Sequence, residues 1–269
     1  MARSLAQDPG VPAVASSPGR VGLRGALIPA CSILLLLALW QVAAWAAADP
    51  RLMPPPLAVL AAIGAATASG ELPWHLAITL LRVAASFVLA MGIGIALGIV
   101  MGRIKLADQL GQPWLVFFLN LPALVTIILC YIWIGLVETA AIVAVALNKI
   151  PNVMVTVREG ARALDSGLEE MAIVYRVPLR RRLVDLVLPQ LYPYLAAAAR
   201  SGLALIWKIV LVVELLGRSN GVGFQLGVHF QLFDVTGILA YALSFIAVVQ
   251  AIEWGILQPL ERRLHRWRR

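Results

Sequence analysis

The chain has 269 residues, of which 61% are hydrophobic and only 13% charged, with a mean hydropathy of +0.88. That balance excludes an ordinary soluble domain and leaves room for several membrane spans of about 20 residues each. The net charge of +8 invites a nucleic-acid-binding reading, which the placement of the cations removes.

Six apolar stretches predict an all-α polytopic membrane protein with six transmembrane helices, at roughly 27–47, 78–101, 113–135, 140–157, 191–213 and 236–257. Residues 1–26, rich in Pro, Gly, Ser and Ala, predict a disordered cytoplasmic arm ahead of a transmembrane domain over 27–269. Ala46-Ala47-Ala48 imitates a signal-peptidase site. The apolar run before it is about 21 residues, longer than a signal h-region, so it reads as a retained first span. Pro50, Pro54, Pro55, Pro56 and Pro73 then force a turn, and residues 57–68 predict a short interfacial helix.

Span two carries Gly94, Gly98 and Gly102 at four-residue spacing, a stripe that lets another helix approach closely. Arg82, near its outer end, is expected to snorkel toward the interface. Span three contains Asn120, Pro122 and Thr126. A proline there kinks the helix and frees carbonyls, which suits a translocation path and equally a packing device. Span four is the weakest, because Asn148, Lys149 and Pro151 interrupt it; only a buried bundle position satisfies those groups. Cys31 and Cys130 both fall in apolar spans and read as core packing residues.

The polar stretch 158–189 predicts two short helices with an elbow. Ser166 and Glu169 fit a capping box opening the first, and Leu168, Met171, Ala172 and Tyr175 share one face of it. Val177-Pro178 breaks that helix, Pro178 suits the first position of the next, and Leu188-Pro189 closes the loop where span five begins. Within span five, an ionisable group costs about 2.5–3.5 kcal/mol at a helix centre, so Lys208 is expected to face the pathway or a subunit interface. Glu214, six residues on, lies on a different face, which excludes a direct bridge to Lys208, and is expected near the outer mouth. Arg200 and Lys208 suit an anion; pairing with Glu214 or interior packing is the alternative.

The cations decide orientation. Sixteen of the 22 Lys and Arg fall in segments that a cytoplasmic N-terminus places inside, including Arg103, Lys105, Arg158, Arg176, Arg180 and the basic tail. Only Arg51 and Arg218 fall in outside loops. This bias predicts both termini in the cytoplasm, and the basic charge reads as orientation, with no nucleic-acid partner. His75, His229 and His265 stand apart without H-E-x-x-H, and no G-x-S-G or G-x-x-x-x-G-K-[ST] occurs. A membrane enzyme and autonomous ATP hydrolysis are therefore not supported. A secondary transporter, which usually carries two related halves, and a membrane scaffold are the alternatives.

The run EMAIVYRVPLRRRLVDLVLP from Glu170 to Pro189 resembles the EAA loop of permease subunits of ATP-binding-cassette importers. Glu170 has the family's spacing to Leu188-Pro189, Ala172 matches the second Ala, and Leu186 stands for the Ile. Met171 replaces the first Ala and Arg176 the Gly, which puts the sharp left-handed turn in doubt, although Pro178 can redirect the chain. The flanks agree: Thr79 to Arg82 is similar to an S/T-L-x-R opening, Tyr131–Gly135 to the end of the family's third span, and Arg200, Trp207, Glu214 and Gly221-Val222-Gly223 to its fifth. The resemblance runs from about Leu52 to the basic tail and is specific to the aliphatic sulfonate, taurine and nitrate branch. It implies a type I importer permease of MetI-like fold in the inner membrane. Glu170, Ala172, Tyr175, Arg176, Pro178, Leu186, Leu188 and Pro189 would then couple to a cytoplasmic ATPase dimer that binds the ATP, with no cofactor in this chain. It also implies a second copy of the permease, surrounding lipid, and an outer solute-binding protein. Arg82, Asn120, Pro122, Thr126, Arg200, Trp207, Lys208 and Glu214 become the pathway or interface candidates.

Overall fold

The computed structural model of the protein describes residues 23–257, with side chains from 31 to 255, and every described element is helical. The chain divides into two compact units, Met1–Pro56 and Leu57–Arg269. In the first, α1 (Leu23–Ala47) begins four residues inside the expected arm; residues 1–22 lie outside the described residues. The Trp40 indole donates to the Pro54 carbonyl at 3.0 Å, fastening the helix to the proline run. Cys31 is exposed, not a core residue, whereas Cys130 of the second unit is buried as expected.

In the second unit, the expected interfacial helix is α2 (Pro56–Ala68), followed by α3 (Glu71–Arg103), α4 (Lys105–Asn120), α5 (Ala123–Ile134) and α6 (Glu138–Arg162). An elbow of two short helices comes next, α7 (Ser166–Val174) and α8 (Leu179–Arg181). A π-helical turn over Arg182–Val187 joins α8 to α9 (Leu188–Gly217), and α10 (Val222–Gln231) and α11 (Val235–Ile252) complete the bundle.

Four helical runs are long and apolar enough to cross a membrane: α3, α6, the continuous run Leu179–Gly217, and Val235–Gly255. A fifth arises if α4 and α5 count as one span. The sequence predicted six. The first expected span, 27–47, coincides with α1, a 25-residue helix whose described side chains begin with the apolar run Cys31–Ala47. The third is broken outright: α4 and α5 meet at 99°, because Leu121 takes an extended conformation ahead of Pro122. Asn120 and Pro122 sit on that corner and Thr126 is one turn beyond it, its hydroxyl 3.5 Å from the Pro122 carbonyl.

The fourth stretch, weakest in sequence, is the most buried span. The glycine stripe of α3 is the reason. A Cβ on Gly94, Gly98 or Gly102 would lie 2.6 Å, 2.9 Å or 2.5 Å from the Cβ of Val153, Val157 or Ala161, so two four-residue ladders mesh at backbone distance. α9 packs against both helices, and Tyr131 of α5 donates to the Val213 carbonyl at 2.8 Å. Ile127, Ala144, Ile206 and Val210 fill the core between them.

Candidate functional site: a buried charge clamp and an exposed elbow

At the α3 N-terminal end, four elements converge on one guanidinium. Arg82 is 3% exposed and spends all five N–H donors. Its Nε and Nη2 reach the two oxygens of Glu138 at 2.5 and 2.9 Å. Nη1 reaches Glu214 at 2.6 Å and the Asn220 carbonyl at 2.8 Å, and Nη2 also bonds the Asn220 side chain. The expected snorkelling is thus overturned: a guanidinium fork matches two carboxylates at once, and pairing in the bundle outcompetes a reach to the interface.

Glu214 has no exposed surface at all. Beyond Arg82 it lies 2.9 Å from the Thr79 hydroxyl and accepts from the Gly223 backbone N–H at 2.8 Å. Its partners lie on α3 and the α9–α10 turn, and it makes no bridge to Lys208, as the six-residue spacing implied. Thr79 in turn accepts from the Val222 N–H at 2.9 Å, and His75 Nδ1 from the Gly221 N–H at 2.9 Å. His75 Nε2 lies 2.8 Å from the Gln225 side-chain amide, so both ring nitrogens face α10 and the turn before it. Arg218 closes the network on Glu138 at 2.9 Å.

The glycines of Gly221-Val222-Gly223 are required by this closure. Gly221 has φ +106, and a Cβ there would lie 2.3 Å from the Glu214 carboxyl carbon; on Gly223 it would meet the Leu211 carbonyl at 2.2 Å. Two arginines and two carboxylates thus form a neutral clamp that ties the α9–α10 turn to α3 and α6. No group of three or more His, Cys, Asp or Glu suited to a metal occurs among the described residues. Sequence reasoning gave Arg82 no partner, weighed only Arg200 and Lys208 for Glu214, and missed Glu138, Asn220 and His75 as members of the network. The available signal was two acids at span ends, Glu138 and Glu214, on the same side as Arg82 and Arg218.

The other end of α3 carries the elbow. The first helix is capped by Asp165, which accepts from Gly167 N and Leu168 N, and not by Ser166. Its expected capping partner, Glu169, instead bridges Arg103 and Arg182, because two arginines offer more than one orphan N–H. Those two guanidiniums, Arg103 foremost, hold the Glu169 carboxyl below its usual value against the opposing effect of burial. A lowered carboxyl pKa makes its contribution above the ordinary carboxylate range and loses it as pH falls further, so the attachment is fully formed at neutral pH.

The turn in doubt is made, by arginine. Arg176 has φ +50. The Val177 N–H bonds the Ala172 carbonyl at 2.9 Å and the Arg176 N–H the Ile173 carbonyl at 3.0 Å, the Schellman pair that ends a helix. Ala172 lies beneath this turn, 2% exposed, so it positions the elbow from within and does not line its outer face. Holding a non-glycine residue in the left-handed region costs about 1–2 kcal/mol. Arg176→Gly is therefore expected to slow hydrogen exchange of the Val177 amide by about fivefold, and an unchanged rate would show the turn is unstrained.

Pro178 caps α8 from just outside it. Leu188-Pro189 does not end the loop: Leu179–Gly217 is one helical run. Pro189 and Pro193 remove two N–H donors, and the widened turn over Arg182–Val187 accommodates the loss. Leu186 is half-buried against Leu164 and Leu191. What remains outward is Glu170, with no ion pair among the described residues, and an apolar surface including Met171, Ile173, Val174, Leu179 and Tyr175, the last 76% exposed.

Residues 90–257 match the model of the family described as binding-protein-dependent transport system inner membrane component. The chain belongs to that family. It is a multi-pass permease, and ATP hydrolysis falls to a separate subunit. A Bacillus subtilis protein named as an aliphatic sulfonates transport permease is 29% identical over 260 residues, covering 95% of this chain and 92% of that one. An Escherichia coli protein of the same name is 30% identical over 235 residues, 86% and 88% of the two chains. A solved structure of the MetNI methionine ABC transporter in inward-facing conformations superposes with a TM-score of 0.58 at 19% identity. It covers 69% of this chain and 92% of that one, and the fold is MetI-like.

Proposed function

We propose that the permease works as a homodimer of six-span subunits with both termini inside. Its elbow docks on an ATPase dimer, and it passes a small solute delivered by an outer binding protein. The observation that carries the docking assignment is the elbow surface: apolar side chains and an unpaired Glu170 stand outward while Ala172, Glu169 and the Schellman turn hold the backbone rigid. A stiff, tethered apolar knob transmits displacement, and a solvated hairpin leaves no such patch. Glu169 ties the knob to the end of α3, whose other end enters the clamp, so one helix links the ATPase side to the outer side.

The solute reading rests on the sulfonate names of the two relatives and on a cleft of about 480 Å³ lined by Arg200, Trp207, Lys208, Gln250 and Phe245. Trp207 stacks edge-on against Phe245 at 5.9 Å, holding α9 to α11 beside the two cations. Asn120 and Thr126, at the α4–α5 corner, belong to the same proposal as a broken-helix element that bends without losing a packed core.

The test is assembly. The unmodified permease should copurify with a P-loop ATPase and support ATP-dependent uptake. Tyr175→Asp with Leu179→Asp should abolish copurification while membrane insertion stays normal. Retained copurification in that double variant would remove the elbow from the interface.

A further inference from the structure

Among the described residues, four charged side chains are buried in the bundle: Arg82, Lys149, Arg158 and Glu214. Arg82 and Glu214 pair with each other, and Arg158 pairs with Glu159 at 3.1 Å and Asp108 at 3.4 Å. Lys149 is 2% exposed, and no hydrogen bond or ion pair reaches its ammonium among the described residues. A buried charge without a partner is among the least favourable features a membrane bundle carries. Methionine or leucine would fill the same space without that cost.

The space is shaped for the side chain. A Cβ on Gly202 would lie 2.9 Å from Lys149 Cε, 3.8 Å from its Nζ and 3.7 Å from Phe87. The glycine opens a slot in α9, and the ring of Phe87 from α3 borders it. One turn toward the elbow the same seam closes with Val153, Val157 and Ala198, so the slot is a polar point in an apolar seam. Both helices forming it are interrupted nearby, α6 by Pro151 and α9 by Pro193 and the preceding π-helical turn, which are the ordinary sites of helix bending. Arg200 and Lys208 line a different cleft, against α11.

We propose that Lys149 is an anion-receiving site within the solute route, where the permease supplies the cation and the cargo supplies the counter-charge. The group it takes is a small oxyanion, a sulfonate or carboxylate, seated when the α6–α9 seam parts during turnover. This rests on the permease reading and adds to it the side chain that meets the solute's charge.

The experiment uses the full permease with its ATPase in proteoliposomes, in a Cys31→Ser, Cys130→Ala background. A Gly202→Cys probe is labelled during ATP turnover by an anionic sulfonatoethyl and a cationic trimethylammonioethyl methanethiosulfonate. With Lys149 present the anionic reagent should react about tenfold faster, and in Lys149→Met that preference should vanish. Equal rates with Lys149 in place, or no labelling by either reagent, would overturn the proposal. Lys149→Met alone, without the cysteine probe, gives a second reading. A site kept for a ligand at the cost of stability predicts an unfolding temperature a few degrees higher in the variant. A lower temperature would make the lysine structural. ATPase copurification is followed in the same preparations. Its loss in the unmodified chain breaks the permease reading, whereas its retention without charge preference breaks only the Lys149 site.

Discussion

Arg82→Met is expected to lower the unfolding temperature of the solubilised permease–ATPase complex by about 10 °C. The estimate follows from a loss of about 3–5 kcal/mol on removing one partner of a buried pair, at roughly 2–4 °C per kcal/mol for a domain of this size. The physical reason is what stays behind. Glu214, wholly buried, would keep only Thr79 and Gly223 as donors. Glu138 would lose both bonds to the guanidinium and keep only Arg218. Arg82→Lys should not rescue, since a single ammonium cannot reach Glu138, Glu214 and Asn220 together. Adding Glu214→Leu to Arg82→Met should recover part of the loss, because the orphaned carboxylate is gone; the two effects will not add. A complex with Arg82→Met that melts within about 2 °C of the unmodified one would show the clamp to be incidental.

That clamp also marks what the sequence made legible. Arg82, Thr79, Glu214 and the Gly221-Val222-Gly223 turn were each recognisable one by one, through spacing and resemblance. Their meeting was not, because nothing local says that the turn after α9 folds back over α3. Arg82 illustrates the difficulty. Position along a span predicts snorkelling, and only the tertiary presence of two carboxylates reverses that outcome. The elbow behaved the other way. Its helix–turn–helix form was readable from Pro178 and the apolar face, while the left-handed turn put in doubt by Arg176 is made all the same. The Schellman bonds to Ala172 and Ile173 impose the left-handed turn on an unsuited residue. The spans were least legible at their ends and breaks, where Pro122 divides one predicted helix and Pro189 fails to divide another. A proline next to an extended residue turns the chain; a proline beside a π-helical turn is absorbed by it. Lys149 was visible as an interruption of span four, and its burial against Gly202 is what turns an interruption into a site.

The pair Gly92 and Gly94 offers the sharpest test of how the bundle is held. They stand two residues apart on α3 and therefore point to different sides of the helix. A Cβ on Gly92 would meet nothing within 4 Å, while on Gly94 it would lie 2.6 Å from Val153 Cβ, 2.7 Å from its Cγ1 and 3.2 Å from the Ile150 carbonyl. Gly92→Ala should leave the complex unchanged or raise its stability by about 0.5–1 kcal/mol, the usual gain on removing a helix-interior glycine. Gly94→Ala should cost at least about 1–3 kcal/mol, the range for overpacking a filled interface, because the obstructing atoms belong to a β-branched side chain fixed near its backbone and have no rotamer by which to withdraw. Val153→Gly introduced with Gly94→Ala should return part of that loss, since it removes the two nearest atoms and leaves the carbonyl at a tolerable distance. Thermal unfolding of the purified complex measures all three. Equal stability of the two alanine variants would mean that the α3–α6 ladder is looser than its geometry, and that the rigid link from elbow to clamp does not run through it.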